Sequence, residues 1–266
     1  MRDRVVVITG ASGGIGAVLA ERVAQQGGSP VLAARREAQL NEVAERCGDS
    51  ALVVVTDVTR RADVERVLDA ALQRFGHVDV WVNNAGRGIT QLVSQLTDDE
   101  FDDMIRVNVK GALYGMQTVL PHFRERGRGH IINISSMLGR VPSAFTRSAY
   151  NAGKHALNAL TANLRMELRD QPDIHITTVT PGIVATDFGP HARGGGPDSR
   201  TLPNAQAPEE VADVIVDVIR TPRADVYTRP EYRQRVVDYF AADDMAEMEA
   251  RWQRPAPATA VGGKNP

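Results

Sequence analysis

Two hydrophobic patterns alternate along the chain. Short runs of β-branched and aliphatic residues recur at Val5–Thr9, Val31–Ala34, Leu52–Thr56, Val78–Asn83, His130–Ile134 and Ile174–Thr180, with a weaker one at Asp225–Thr228. Runs of this length and composition predict strands. Between them apolar residues return every three or four positions, which predicts helices over Gly14–Gln26, Glu37–Cys47, Arg61–Phe75, Phe101–Arg126, Ala149–Arg169 and Glu209–Arg220. Thr97-Asp-Asp-Glu100 has the form of a capping box opening one helix, and Pro208-Glu-Glu210 places proline and acids at the start of another. Strand and helix in strict alternation mean βαβ units, hence an α/β protein with a parallel sheet covered on both faces.

Two segments break the pattern. Residues 189–208 are rich in Gly, Pro and polar side chains, including Gly194-Gly-Gly-Pro197, and read as a mobile loop that can close as a lid. Glu231–Trp252 reads as one charged amphipathic helix, and 253–266 as a disordered tail rich in Pro, Ala and Gly. No linker divides the chain, so residues 1–252 are expected to form a single domain.

Composition narrows the function. The 266 residues carry a formal net charge of −2 and 42% apolar residues. Basic residues are scattered, so neither nucleic acid nor an anionic membrane surface is an expected partner. No apolar run approaches the ~20 residues of a membrane span, and the cytoplasm is the default location. Cys47 is the only cysteine and is expected to act as helix filler. The six histidines show no ligand spacing, so no metal site is expected.

Candidate chemistry begins at Thr9-Gly10-Ala-Ser-Gly-Gly14-Ile-Gly16, between the first strand and the first helix. Glycines there permit a tight turn and close approach of backbone to a pyrophosphate, which the helix N-terminus then favours. At the end of the second strand, NAD-binding chains usually place an acid for the ribose 2′-hydroxyl. Here Ala34 is followed by Arg35 and Arg36, which favours NADP(H) over NAD(H), with Arg35 the expected contact to the 2′-phosphate. Further on, Tyr150 and Lys154 lie four residues apart in a helical stretch and share a face. A neighbouring ammonium favours the phenolate, whose ordinary pKa is about 10.

Taken together the motifs resemble the short-chain dehydrogenase/reductase family, in its common form of roughly 250 residues, from Val5 to about Arg220. TGASGGIG is similar to the family's TGxxxGxG turn. Asp57-Val58, Asn83-Asn-Ala-Gly86, Asn108, Asn133-Ile-Ser-Ser136, Tyr150-xxx-Lys154 and Pro181-Gly-Ile-Val-Ala-Thr186 follow in the family's order. The resemblance implies a single Rossmann-type doubly wound sheet of about seven strands, order 3-2-1-4-5-6-7. It also implies hydride transfer between a nicotinamide and a ketone, an aldehyde or a secondary alcohol. The implied catalytic residues are Asn108, Ser136, Tyr150 and Lys154. Tyr150 is the general acid/base, Lys154 lowers its pKa and meets the nicotinamide ribose, Ser136 holds the substrate oxygen, and Asn108 holds a relay water. The implied cofactor contacts are Gly10, Ser12, Ile15, Gly16, Arg35, Asp57, Val58, Asn84, Gly86, Tyr150, Lys154 and Thr186.

Two departures stand out. Ser136 lies one residue further from the tyrosine than the family's usual spacing, with Ser135 the runner-up for the substrate contact. The C-terminus also lacks the Gly-Gly strand that joins subunits in many relatives, which leaves a homodimer or a homotetramer. The substrate pocket is expected along 88–92, 137–146 and 188–202. Arg140, Arg147, Arg193 and Arg200 lie near it, either to meet an anion or as solvated loop charges.

Overall fold

The computed structural model describes residues 1–253. The tail reading beyond residue 253 therefore lies outside the described residues. Seven strands form one parallel sheet in the order β3-β2-β1-β4-β5-β6-β7. They are β1 Val5–Thr9, β2 Ser29–Ala34, β3 Leu52–Val55, β4 Val80–Asn83, β5 Gly129–Ile134, β6 Ile174–Thr180 and β7 Asp225–Tyr227. The helices between them are α1 Gly14–Gln25, α2 Glu37–Cys47, α3 Arg61–Phe75, α4 Asp98–Ile105, α5 Gly111–Arg126, α6 Ser148–Glu167 and α7 Pro208–Arg220, followed by α8 Pro230–Phe240 and α9 Met245–Gln253.

Side chains alternate across each strand, so both faces need a core. Val6 and Ile8 of β1, Val80 and Val82 of β4, and Ile132 and Ile134 of β5 pack on the face covered by α1, α2 and α7. Val5, Val7, Trp81 and Ile131 point the other way, toward α3 and α5. Continuous apolar runs are the expected signature of strands buried on both sides. Cys47 packs in the first of these cores, where burial pushes its thiol up to about 11, as befits filler. Helix α7 buries Val211, Ala212, Ile215, Val216, Val218 and Ile219, and α1 supplies much of the surface it covers.

Two element boundaries differ from the sequence expectation. The helix expected over Phe101–Arg126 begins earlier, at Asp98, where Thr97 and Glu100 complete the capping box. It is interrupted by a π-helical turn at Arg106–Lys110. The C-terminal segment is two helices, not one, broken at residues 241–244, where Ala241 caps α8 and Asp244 Oδ1 accepts from Ala246 N at 2.8 Å. Tyr239 packs against Trp252 across the break, with ring centroids 5.4 Å apart. Among the described residues, no helix is long and apolar enough to cross a membrane.

Candidate active site

The sheet order reverses direction between β1 and β4, and ligands of open α/β sheets bind outside the carboxyl ends of strands at such a point. The glycine turn lies there. Gly10 has φ +70° and Gly14 φ +53°, both left-handed conformations. A Cβ on Gly10 would come within 2.8 Å of the Ala85 Cα, and one on Gly16 within 2.6 Å of Asn84 Nδ2. Asn84 ties the turn to the end of β4, donating from Nδ2 to the carbonyls of Thr9 (2.9 Å) and Gly10 (3.3 Å). Thr9 Oγ1 in turn accepts from the backbone of Asn84 and Ala85, both at 3.0 Å. Opposite, the Thr186 methyl is 3.1 Å from where a Gly14 Cβ would stand, so the PGxVxT segment faces the turn across the cleft. This cradle fits the pyrophosphate of a dinucleotide.

The other expected cofactor residues ring this cleft. Ile15, in the first turn of α1, is partly buried against the core. Asp57 sits in a tight turn after β3, its Oδ1 accepting from Thr59 N at 3.0 Å and Thr59 Oγ1 at 2.8 Å. Val58 is buried against Gly111. Arg35 is exposed just past β2. Its neighbour Arg36 reaches back over the glycine turn, donating to Ser12 Oγ from Nε (3.2 Å) and Nη2 (3.1 Å). Ser12 therefore braces the turn, and Arg36 is a contact that the strand-end pattern alone did not single out.

The catalytic candidates converge deeper in the cleft. Tyr150 and Lys154 lie on the first two turns of α6, and both are buried, with Lys154 Nζ 5.7 Å from the phenol ring centroid. Lys154 Nζ donates to the Ile134 carbonyl at the end of β5 (2.8 Å). Ser136, two residues on, accepts from Leu138 N at 3.1 Å, and its hydroxyl lies near enough to the Tyr150 phenol to lower that group's pKa. The adjacent Ser135 hydroxyl is buried, without a partner among the described residues, near Gly139. That geometry sets Ser136, not Ser135, beside the tyrosine. Between Ser136 and Tyr150 the chain first makes a 3-10 turn at Met137–Gly139.

Asn108 occupies the middle of the π-helical turn, where the helix ladder is locally rearranged. Its Oδ1 accepts from Arg87 N (3.0 Å) and its Nδ2 donates to Arg87 O (2.9 Å). The carboxamide thus pins the loop after β4. A Cβ on Gly86 would stand 3.1 Å from Asn108 Oδ1 and 3.7 Å from Lys154 Nζ, so all three share one small volume.

The electrostatics of the pair are set by burial. Burial raises the Tyr150 phenol above its ordinary value, opposed by the Ser136 hydroxyl and the Arg147 charge. Burial also pushes Lys154 down to about 8. Burial thus opposes the charged form of both side chains. A second cation, Arg147, lies one helical turn before Tyr150, and its charge also favours the phenolate. A second feature missed in the sequence is the buried support beneath the site. Asn83 Nδ2 donates to Asn133 Oδ1 (2.8 Å), and Asn133 Nδ2 donates to Thr161 Oγ1 (2.9 Å), joining β4, β5 and α6. The signal was an asparagine inside each of two apolar strand runs, at positions that prove to be register partners.

The chain matches the model of the short chain dehydrogenase family over residues 4–194. It belongs to that family. It is 36% identical to an uncharacterized oxidoreductase of Staphylococcus epidermidis over 222 residues, 84% of this chain and 93% of that protein. A solved short-chain dehydrogenase/reductase from Burkholderia phymatum, in complex with NAD, superposes with TM-score 0.83 at 26% identity over 96% of both chains. An alcohol dehydrogenase from the archaeon Thermococcus sibiricus, complexed with 5-hydroxy-NADP, gives TM-score 0.75 at 29% identity, covering 87% of this chain and 98% of its own. This short-chain dehydrogenase is therefore an oxidoreductase by family, with solved neighbours that hold both kinds of dinucleotide.

Proposed function

We propose that this short-chain dehydrogenase is an NADP(H)-dependent carbonyl reductase or alcohol dehydrogenase, with Tyr150 as general acid/base. The observation that carries the reading is the meeting of Ser136, Tyr150 and Lys154 in the cleft beside Gly86 and Asn108. Bound there, a nicotinamide supplies or accepts the hydride. Ser136 orients the substrate oxygen toward the phenol, which fixes the carbonyl within reach of the acid. Tyr150 delivers a proton to that oxygen during reduction and removes it during oxidation. Its raised pKa suits the donor role at neutral pH. Lys154 holds its ammonium between the Ile134 carbonyl and the cofactor side of the cleft, and Asn108 keeps the loop after β4 in place.

Preference for NADP(H) rests on the chain's own residues, because the solved neighbours divide between the two dinucleotides. No acid stands at the end of β2, and Arg35 and Arg36 follow it, so a 2′-phosphate would meet positive charge. The test is steady-state kinetics with NADPH and NADH against a panel of ketones, for the wild-type protein and Tyr150→Phe. Turnover is expected to fall by at least about 100-fold in the variant, while the cofactor Kd holds. A higher kcat/KM with NADH than with NADPH would overturn the cofactor assignment, and full activity in Tyr150→Phe would overturn the acid/base.

A further inference from the structure

The four arginines near the expected substrate wall separate cleanly in the structure. Arg140 pairs with Asp225 at 2.6 Å, and Arg200 with Asp198 at 2.7 Å. Arg193 lies 3.7 Å from Glu100 and 4.0 Å from Asp103. Arg147 has no carboxylate partner among the described residues. Its side chain is neither extended into solvent nor closed into an ion pair. Nη1 donates to the Ile89 carbonyl at 3.3 Å, which leaves most of its five N–H donors without a protein acceptor.

Loop backbone approaches Arg147 closely on two sides. Two glycines flank the guanidinium: a Cβ on Gly88 would stand 3.2 Å from Nη1, and one on Gly196 would stand 2.7 Å from Nη2. A side chain at position 196 would require the Arg147 tip to shift. Phe188 closes the other side, packing edge-on against Tyr150 with ring centroids 5.6 Å apart and reaching the space beside Gly88. Arg147 is the N-cap of α6 and Tyr150 follows three positions later, so both sit on one face of the first turn. A half-buried cation without a counter-ion is unfavourable, and a bound anion offsets that cost. Burial does depress the Arg147 guanidinium, and among its neighbours only Tyr150 acts in the opposite direction.

The geometry points to a substrate that is an oxo acid or the matching hydroxy acid, its carboxylate gripped by Arg147 while its carbonyl or hydroxyl lies between Ser136 and Tyr150. This inference rests on the carbonyl-reductase reading and names its substrate class. One helical turn separates the two groups, about 5–6 Å between Cβ atoms. The two groups are neighbours along one wall, with Phe188 between them. The guanidinium geometry accepts a carboxylate through two parallel N–H donors. The carboxylate makes and breaks no bonds, so its charge is the same before and after reaction, and Arg147 supplies position and selectivity.

The test compares short oxo acids with their methyl esters. Wild-type protein is expected to favour the acid, and Arg147→Gln to lower the acid-to-ester ratio of kcat/KM by roughly 10- to 100-fold, the range for a hydrogen bond to a charged group. Arg147→Lys should keep part of the preference. A second arm measures binding alone: calorimetric titration of the oxo acid into Tyr150→Phe loaded with NADPH, and into the same protein carrying Arg147→Gln. The acid should bind the first and lose affinity by a similar factor in the second. Equal losses on acid and ester, with unchanged acid binding, would show that Arg147 acts only on the tyrosine and would sink the proposal. Reduction of neutral ketones with no preference for the acid also overturns it while leaving the reductase reading intact. If no carbonyl compound is reduced, the reductase reading fails, and the titration alone decides whether the carboxylate site exists.

Discussion

At the scale of single residues, Lys154 shows how function and stability oppose each other. Its ammonium is buried on α6 with one carbonyl partner, and burial lowers its pKa from 10.5 to about 8. A folded-state pKa below the unfolded value means that the unfolded chain holds the proton more tightly. The penalty is therefore complete below about pH 8 and fades as the pH rises toward 10.5. At 1.36 kcal/mol per pKa unit it is on the order of 3 kcal/mol at pH 7. Losing the bond to Ile134 gives back about 1 kcal/mol. Lys154→Met is thus expected to raise Tm at pH 7, by a margin that narrows by pH 10, while turnover disappears. A variant that melts lower than wild type at pH 7 would remove this account. The tyrosine and lysine were readable from their spacing because the helix puts both on one face. The downward shift of Lys154 was not, because it depends on burial that no local pattern reports. Arg147 was visible only as one of four arginines, since its isolation is defined by where the acids of distant segments lie.

The elements were readable in type but less so in detail. Each strand was recognised because its apolar run is bounded by glycines or polar turns, and predicted and observed ends differ by two residues or fewer. The π-helical turn at Asn108 was hidden, because its residues fit a helical period as well as their neighbours do. The break between α8 and α9 was hidden for a related reason: Ala241-Ala-Asp-Asp244 contains neither Gly nor Pro. β5 carries a consequence for acid stability. His130 is buried at 4% exposure, with Nε2 lying 2.8 Å from Thr177 Oγ1. That hydroxyl donates to the Arg223 carbonyl at 2.6 Å, so the ring nitrogen must donate to it, and Nδ1 is the bare nitrogen. Burial, with His175 and Arg4 nearby, holds the His130 pKa at about 3 against an ordinary 6.5. The unfolded chain takes up the proton first, so stability is complete above pH 6.5 and falls as the pH drops toward 3. Between pH 7 and pH 5 the loss from this ring is roughly 2 kcal/mol. Urea unfolding at those two values should show a smaller drop for His130→Gln than for wild type. An identical drop would mean that His130 is not held neutral in the fold.

Across the whole molecule, the site is assembled from chain segments that are distant in sequence and meet only at the carboxyl ends of β1, β4, β5 and β6. The C-terminal helices extend that assembly beyond the family match, which ends at residue 194. Tyr232 of α8 is buried, and a Cβ on Gly182 would collide with its hydroxyl. Its ring therefore backs the Pro181–Thr186 segment from behind. The same segment is stitched to the loop before α7, with Gln206 N donating to Ile183 O and Ala185 N to Gln206 O, both at 2.8 Å. Gln206 Oε1 accepts from Gly182 N (3.2 Å) and Thr228 Oγ1 (2.7 Å), which draws the end of β7 into the same brace. Thr186, the residue facing the glycine turn, is thus held through α8 as well as through the strand β6 that its segment follows. Tyr232→Ala would leave a cavity beneath Gly182 and is expected to cost about 3 kcal/mol of stability, as large aromatic truncations do. If the brace positions Thr186, the cofactor Kd, read by fluorescence titration below the variant's melting temperature, should also rise several-fold. Tyr232→Phe, which keeps the ring, should retain most of both. A lower Tm with an unchanged Kd would confine α8 to a structural role and leave Thr186 positioned by β6 alone.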